Sequence, residues 1–295
     1  MKNSKLILGL CAALVAASAF AQATVTVNSQ NPAPGDLFTN TGSANLGLGF
    51  GNPNWVYNNT RGSGSVGIRT NYPRNGNGSV YFNSPDRFGK ADIEYFVAPV
   101  LVGGNFAPNP YNPSSILGPL ADLSHLSYQW YRDGSSTAPN HLHPVLRLGI
   151  LCVNHQDNSI NLGYLVFERI YNGFSGAAPT DSWQSDNIIG SNYGLWATAS
   201  LGFGDPNVNF SQVFKTLSGW VSAANDANAT LYVISVNAGI GSGWNGTFTG
   251  AVDNITFGFG GNYTTYNFEV VPEPASMLAL GSGLIGLLGL RRRKR

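Results

Sequence analysis

The chain has 295 residues, a formal net charge of +1, 37 glycines and two cysteines. With both basic ends set aside, residues 24–271 hold nine basic and fourteen acidic side chains and no basic run. That excludes a nucleic-acid surface, which needs clustered cations facing phosphate. Only Cys152 remains internally, so no internal disulfide forms, and its strand-like setting makes it a small buried hydrophobe.

At the N-terminus, Lys2 and Lys5 precede the apolar stretch Leu6–Val15, and small residues follow through Ala21 and Ala23. This predicts a signal peptide over residues 1–23, passed through the Sec translocon and cleaved after Ala21 or Ala23. Cys11 sits inside the apolar stretch, but Leu10 before it is too large for a lipoprotein attachment site. Residues 24–271 then match the size of one large β-sandwich, and their Gly, Asn, Ser, Thr and aromatic content suits an exported all-β protein. Asn40–Gly78 reads as long Gly/Asn-rich loops with weak strands, and Gly103–Pro119 as a proline-rich loop arching over one face. Strands are predicted at Ser79–Phe82, Ala91–Val97, Leu126–Arg132, Val145–Val153, Leu162–Ile170, Thr230–Val236, Ala251–Phe259 and Thr264–Val270. One short helix is predicted near 210–222, from Phe210, Val213, Phe214, Leu217 and Val221 at helical spacing, capped by Asn209 or Ser211. The fold class is therefore mainly β: a single antiparallel sandwich or jelly roll with one short helix, between an N-terminal signal peptide and a C-terminal membrane helix.

The last residues are a sorting label. Pro272-Glu273-Pro274 is followed by an uncharged, largely apolar run over 275–290, then Arg291, Arg292, Arg293, Lys294 and Arg295. Sixteen residues of helix span about 24 Å, slightly short of the ~30 Å hydrocarbon core but accommodated by local thinning. The five terminal cations stay cytoplasmic, which places everything before Pro272 outside.

This order of Pro-Glu-Pro, short membrane helix and basic terminus strongly resembles the PEP-CTERM sorting signal of Gram-negative bacteria. The resemblance implies an exosortase, a membrane protease-transpeptidase, as partner acting at Pro-Glu-Pro. It also implies transient inner-membrane anchoring, a cell-surface or extracellular destination, and association with extracellular polysaccharide. A second resemblance is carried by residues 241–269, where Trp244 in a Gly-rich turn leads to Val252-Asp253-Asn254-Ile255 and a closing strand from Tyr266 to Glu269. It looks like the final hairpin of exported concanavalin A-like (laminin-G-like) jelly rolls. It implies a fold class and not an activity, since such folds host lectins, adhesins, glycosidases and lyases.

Catalysis on this scaffold needs two carboxylates facing one groove. Before the tail there are three glutamates, Glu94, Glu168 and Glu269, and no Glu-x-Asp-x-x-Glu pattern. Asp92 and Glu94 share a strand face by their spacing, which an exposed face beside Lys90 explains equally well. His141 and His143, with His125 and His155, lack the signature of a metal set and read as solvated loop residues. Calcium suits an exported jelly roll better than zinc, with Asp253, Asn254 or the Asp133-Gly134 turn as oxygen donors, though no EF-hand-like spacing is present. No catalytic or metal residues are therefore assigned. Sugar rings stack on aromatic planes, and Trp244 and Trp55, in Asn/Gly-rich loops, are the candidate contacts. The sequence thus points to a non-catalytic envelope or matrix protein associating with polysaccharide. A carbohydrate-active enzyme and a purely structural surface protein are the alternatives.

Overall fold

The structure, a computed structural model, describes residues 21–108, 113–199, 201–203 and 213–272. Most of the predicted signal peptide, Glu273, Pro274, the membrane helix and the basic terminus lie outside the described residues. Among the described residues no helix is long and apolar enough to cross a membrane.

In chain order the strands are β1 (Gln22–Pro32), β2 (Phe38–Asn40), β3 (Leu46–Gly49), β4 (Trp55–Arg61), β5 (Gly64–Arg69), β6 (Ser79–Ser84) and β7 (Lys90–Tyr95). There follow β8 (Val100–Val102), β9 (Asn105–Ala107), β10 (Gly118–Pro119), β11 (Leu123–Arg132), β12 (Val145–Asn154) and β13 (Ile160–Phe167). The last are β14 (Gln184–Asn187), β15 (Gly194–Ala197), β16 (Phe214–Thr216), β17 (Ala229–Ile240), β18 (Phe248–Phe259) and β19 (Asn262–Val271), with helix α1 (Leu217–Asp226) before β17.

Two sheets pack face to face. The first runs β1-β19-β18-β6-β5-β2, with β11 on the opposite edge of β18 and β14 beyond it. The second runs β16-β15-β13-β12-β17-β7-β4-β3, with β10 beside β17. All eight predicted strands are present within a few residues of their expected bounds. Among the described strands, one pairing departs from a purely antiparallel sandwich. β1 runs parallel to β19, from Gln22 opposite Tyr263 to Asn28 opposite Glu269, and covers the edge β19 would otherwise expose.

Alternation builds the core. On β11, Leu126, Tyr128 and Trp130 point inward while Ser127, Gln129 and Tyr131 point out, the period-two pattern of a half-covered strand. Val80 and Phe82 of β6, Val66 and Ile68 of β5, and Leu148 and Ile150 of β12 complete the same interior. Cys152 is fully buried among them, and burial pushes its thiol up to about 11.

Two expectations are corrected. Asn40–Gly78 contains the strands β4 and β5, one in each sheet, which bring Trp55, Tyr57, Val66 and Ile68 into the core. Gly62 and Ser63, both with positive φ, turn the chain from the second sheet into the first. The helix starts later than predicted, because Phe214 is taken by β16 and Thr216 is the cap, its hydroxyl accepting the Gly219 N–H at 3.1 Å. The predicted caps Asn209 and Ser211 lie outside the described residues. Trp220 anchors the helix, buried, with its indole N–H donating to the Leu195 carbonyl at 3.0 Å.

Candidate functional site

The outward side chains of the first sheet form a polar face walled by aromatics. Tyr131 from β11 and Tyr81 from β6 project outward because their neighbours Trp130, Val80 and Phe82 fill the interior. The β5–β6 connection folds back over this face and lays Tyr72 against Tyr131, ring centroids 4.5 Å apart and nearly parallel. Tyr81 lies on the other side of Tyr72 at 6.2 Å, and Trp183 approaches Tyr131 at 5.8 Å. The row is pinned in the middle, where the Tyr72 hydroxyl donates to Asp133 Oδ2 at 2.5 Å. Two guanidiniums close it: Arg74 lies 5.9 Å from the Trp183 ring and Arg69 lies 5.9 Å from the Tyr81 ring. Burial, followed by nearby groups such as Asp133 for Tyr72 and Asp181 for Tyr131, raises both phenols, which stay protonated as donors.

Beside the aromatic row is a trough of about 340 Å3 lined by amide and hydroxyl side chains of β1, β11, β18 and β19. Gln129 is its organiser: its Oε1 accepts from Arg74 Nε at 2.8 Å and from Asn254 Nδ2 at 2.9 Å. Thr256 and Thr265 hydroxyls meet at 2.8 Å across β18 and β19. Asn267 donates to Glu269 at 2.8 Å, and its Oδ1 is buried without a hydrogen-bond partner in the protein. Mixed donors and acceptors beside flat aromatic planes suit a ligand with hydroxyl groups and an apolar ring face.

The residues singled out from sequence are scattered. Trp55 is 1 % exposed, packed edge-on against Tyr95, Tyr266 and Phe268, so it offers no face to a ligand and is a core residue. Trp244 lies in the β17–β18 connection, half-buried, with its ring 5.0 Å from Phe248 and edge-on to it. Ala21 and Ala23 stand at the start of the β1–β19 pairing, where Ala21 N–H donates to Asn262 Oδ1. Of Pro272-Glu273-Pro274, Pro272 alone is described, exposed just after β19.

The histidines do not converge, and His143 is not a solvated loop residue. It is buried, stacked 4.5 Å from Trp130, donating through Nδ1 to the Pro144 carbonyl and accepting the Arg169 N–H at Nε2. Burial drives it down to about 3, so it is neutral in the fold. His125 stacks on Tyr263 and His155 bonds Thr230. Among the described residues no group of three or more His, Cys, Asp or Glu is placed to hold a metal. Asp253, a proposed calcium donor, is buried, with Oδ1 taken by the N–H groups of Asn254 and Phe268.

Asp92 and Glu94 do share the outer face of the second sheet, but as buried groups and not on an exposed strand face. Asp92 pairs with Arg147 at 2.7 Å. Glu94 accepts from Asn58, Ser235 and Tyr164 at 2.7, 2.7 and 3.0 Å. Burial raises the Glu94 carboxyl despite these bonds. The β8–β9 hairpin arches over the same face, Phe106 exchanging two hydrogen bonds with Asn58. At 1 % and 0 % exposure, neither carboxylate reaches a substrate in this structure.

Sequence reasoning attended to tryptophans and missed the tyrosines. The signal was present in the alternation around Tyr131 and Tyr81, each set between core residues.

At the chain's end, residues 270–294 match the model of the PEP-CTERM protein-sorting motif. The chain carries that sorting motif. It marks an exported protein sorted by an exosortase, as the resemblance implied. No curated protein sequence matches the chain significantly. Among solved structures, it is similar to one described as the structural basis for the promiscuous specificity of the carbohydrate-binding modules from the β-sandwich superfamily. That match has 11 % identity, 80 % of this chain, 62 % of that one and a TM-score of 0.27, so the chain spans less than two thirds of it. It is also similar to the family 11 carbohydrate-binding module of the cellulosomal cellulase Lic26A-Cel5E of Clostridium thermocellum (10 % identity, 76 % of this chain, 93 % of that one, TM-score 0.31). A family 11 module from the same organism, in complex with a β-1,3-1,4-mixed-linked tetrasaccharide, gives 12 % identity, 77 % and 98 % coverage and a TM-score of 0.29. At these scores none of the superpositions carries a binding site across.

Proposed function

We propose that this PEP-CTERM protein is a non-catalytic component of the cell envelope or extracellular matrix, whose sandwich associates with polysaccharide along the outer face of the first sheet. The body at 24–271 is held for a time in the inner membrane by the tail at 272–295 and then released to the surface. The observation that supports the binding role is the Tyr72–Tyr131 stack at 4.5 Å standing beside a trough of amides and hydroxyls. Flat planes suit the apolar faces of sugar rings, and the trough suits their hydroxyls. The buried, fully engaged state of Asp92 and Glu94 favours binding over hydrolysis.

Affinity electrophoresis of the purified protein through gels containing envelope polysaccharide tests the reading. Retention that Tyr131→Ala and Trp183→Ala weaken severalfold, with an unchanged melting temperature, is the expected result. Absence of retention on any uncharged polysaccharide of a broad panel would remove the binding role from this face.

A further inference from the structure

A second cavity lies at one end of the sandwich, sharing no lining residue with the trough. Four connections meet there: β2–β3, the β4–β5 turn, β6–β7 and β17–β18. It measures about 610 Å3, within the ~300–1,000 Å3 range of small-molecule sites. Its charge is inverted relative to the body. The lining includes Arg61 and Arg87 against the single carboxylate of Asp86, in a body that is otherwise net acidic.

Neither arginine is neutralised. Among the described residues the ion pairs are Arg147 with Asp92 and Arg169 with Asp186, which leaves both cavity guanidiniums without a carboxylate. Asp86 is turned to its own loop, its Oδ1 accepting the Phe88 N–H at 2.7 Å. Arg61 is fixed by Nη2, which donates to Ser242 Oγ at 2.9 Å, while its Nε is buried with no acceptor in the protein. A planar oxyanion meets a guanidinium through charge-assisted bonds, two of them parallel where the fork is open. Arg87 rests on the Phe88 ring, 4.8 Å from its centroid, and Phe88 is 59 % exposed. The main chain under the site is braced, since the Gly243 N–H donates to the Arg87 carbonyl at 2.7 Å.

We propose that this cavity binds a carboxylate-bearing sugar unit, a uronate of an acidic glycan. Arg61 and Arg87 receive the carboxylate, Phe88 receives the apolar face of the ring, and Ser43, Ser242 and Asn245 meet its hydroxyls. The site is independent of the polysaccharide reading of the outer face, and each stands if the other fails.

Isothermal titration of the purified protein with a trigalacturonate and with its methyl ester separates carboxylate recognition from general sugar binding. The free acid binds and the ester binds at least tenfold more weakly. Arg87→Gln and Phe88→Ala, both at exposed positions, each weaken the acid at least tenfold and threefold respectively while the melting temperature stays unchanged. Tyr131→Ala leaves it unaffected. Equal affinity for acid and ester, no measurable binding of the acid, or an undiminished affinity in Arg87→Gln would each overturn the proposal.

Discussion

The Asp253 carboxylate accepts the main-chain N–H of Phe268 at 2.9 Å, at the point where β18 exchanges one partner strand for another. Before it, Val252 pairs with Val80 of β6; after it, Ile255 pairs with Tyr266 of β19. The side chain thus supplies an acceptor in the gap between the two ladders, where a main-chain carbonyl is missing. Asn254 turns the chain there with φ 48°. Glu269 closes the same seam from β19, accepting the N–H groups of Asn77 and Gly78 at 2.6 and 2.8 Å.

The seam carries a pH dependence. Burial raises Asp253 from 3.8 to about 7, and its Oδ2 has no partner in the protein. A raised acid contributes stability that is fully present below about pH 4 and lost as pH rises through about 7. The loss is up to roughly 4 kcal/mol. Glu94, Glu168 and Asp186 are raised by burial in the same sense, and His143, lowered to about 3, acts oppositely on the acid side. The informative quantity is therefore the difference between wild type and Asp253→Asn, which keeps the Oδ1 acceptor. Melting temperatures measured from pH 4 to 8 should show the variant gaining on the wild type as pH rises. Parallel curves would remove Asp253 as the titrating group.

Arg147 holds another buried carboxylate, Asp92. It donates to Asp92 and to Asn237 Oδ1, both at 2.7 Å, on a face closed to solvent. Removing one member of a buried pair strands the other charge, at a cost of about 3–5 kcal/mol. Arg147→Met should therefore destabilise strongly in urea melts, and Asp92→Asn added to it should recover much of the loss. A double variant no better than the single would mean that the guanidinium acts by packing alone.

Much of the fold was legible because alternation is local. The β11 sequence Leu-Ser-His-Leu-Ser-Tyr-Gln-Trp-Tyr-Arg announces one buried and one outward face. β4 was not legible, because it is covered on both sides and buries Asn58, Asn59 and Thr60, residues that read as loop. Their burial depends on the β8–β9 hairpin and on Glu94, contacts 35 to 48 positions away in sequence. The candidate face was hidden for a related reason. Tyr72, Tyr81 and Tyr131 come from separate segments, and only the paired β6, β18 and β11 set them side by side.

Trp244 distinguishes packing from contact. Gly241 leaves room for the indole, since a Cβ there would stand 3.3 Å from Trp244 Nε1, and the ring lies edge-on to the buried Phe248. Trp244→Ala should lower stability by about 2–3 kcal/mol, below the ~3–5 kcal/mol of a fully buried aromatic because the ring is half-exposed. Glycan retention per folded molecule should be unchanged. Retention lost at constant melting temperature would instead make the indole a ligand contact.

The tail offers the last prediction. Pro272 ends β19, and the sorting motif begins at residue 270, so the recognition segment follows the closing strand of the sandwich with no spacer. Changing Pro272, Glu273 and Pro274 to alanine leaves the apolar run and the five terminal cations to hold the chain. The altered protein should accumulate in the inner membrane with its body outside, at unchanged melting temperature, since Val271 and the strand pairing before it are untouched. Fractionation and protease accessibility in intact spheroplasts measure this directly. Normal release of the altered protein to the surface would mean that sorting does not depend on Pro-Glu-Pro.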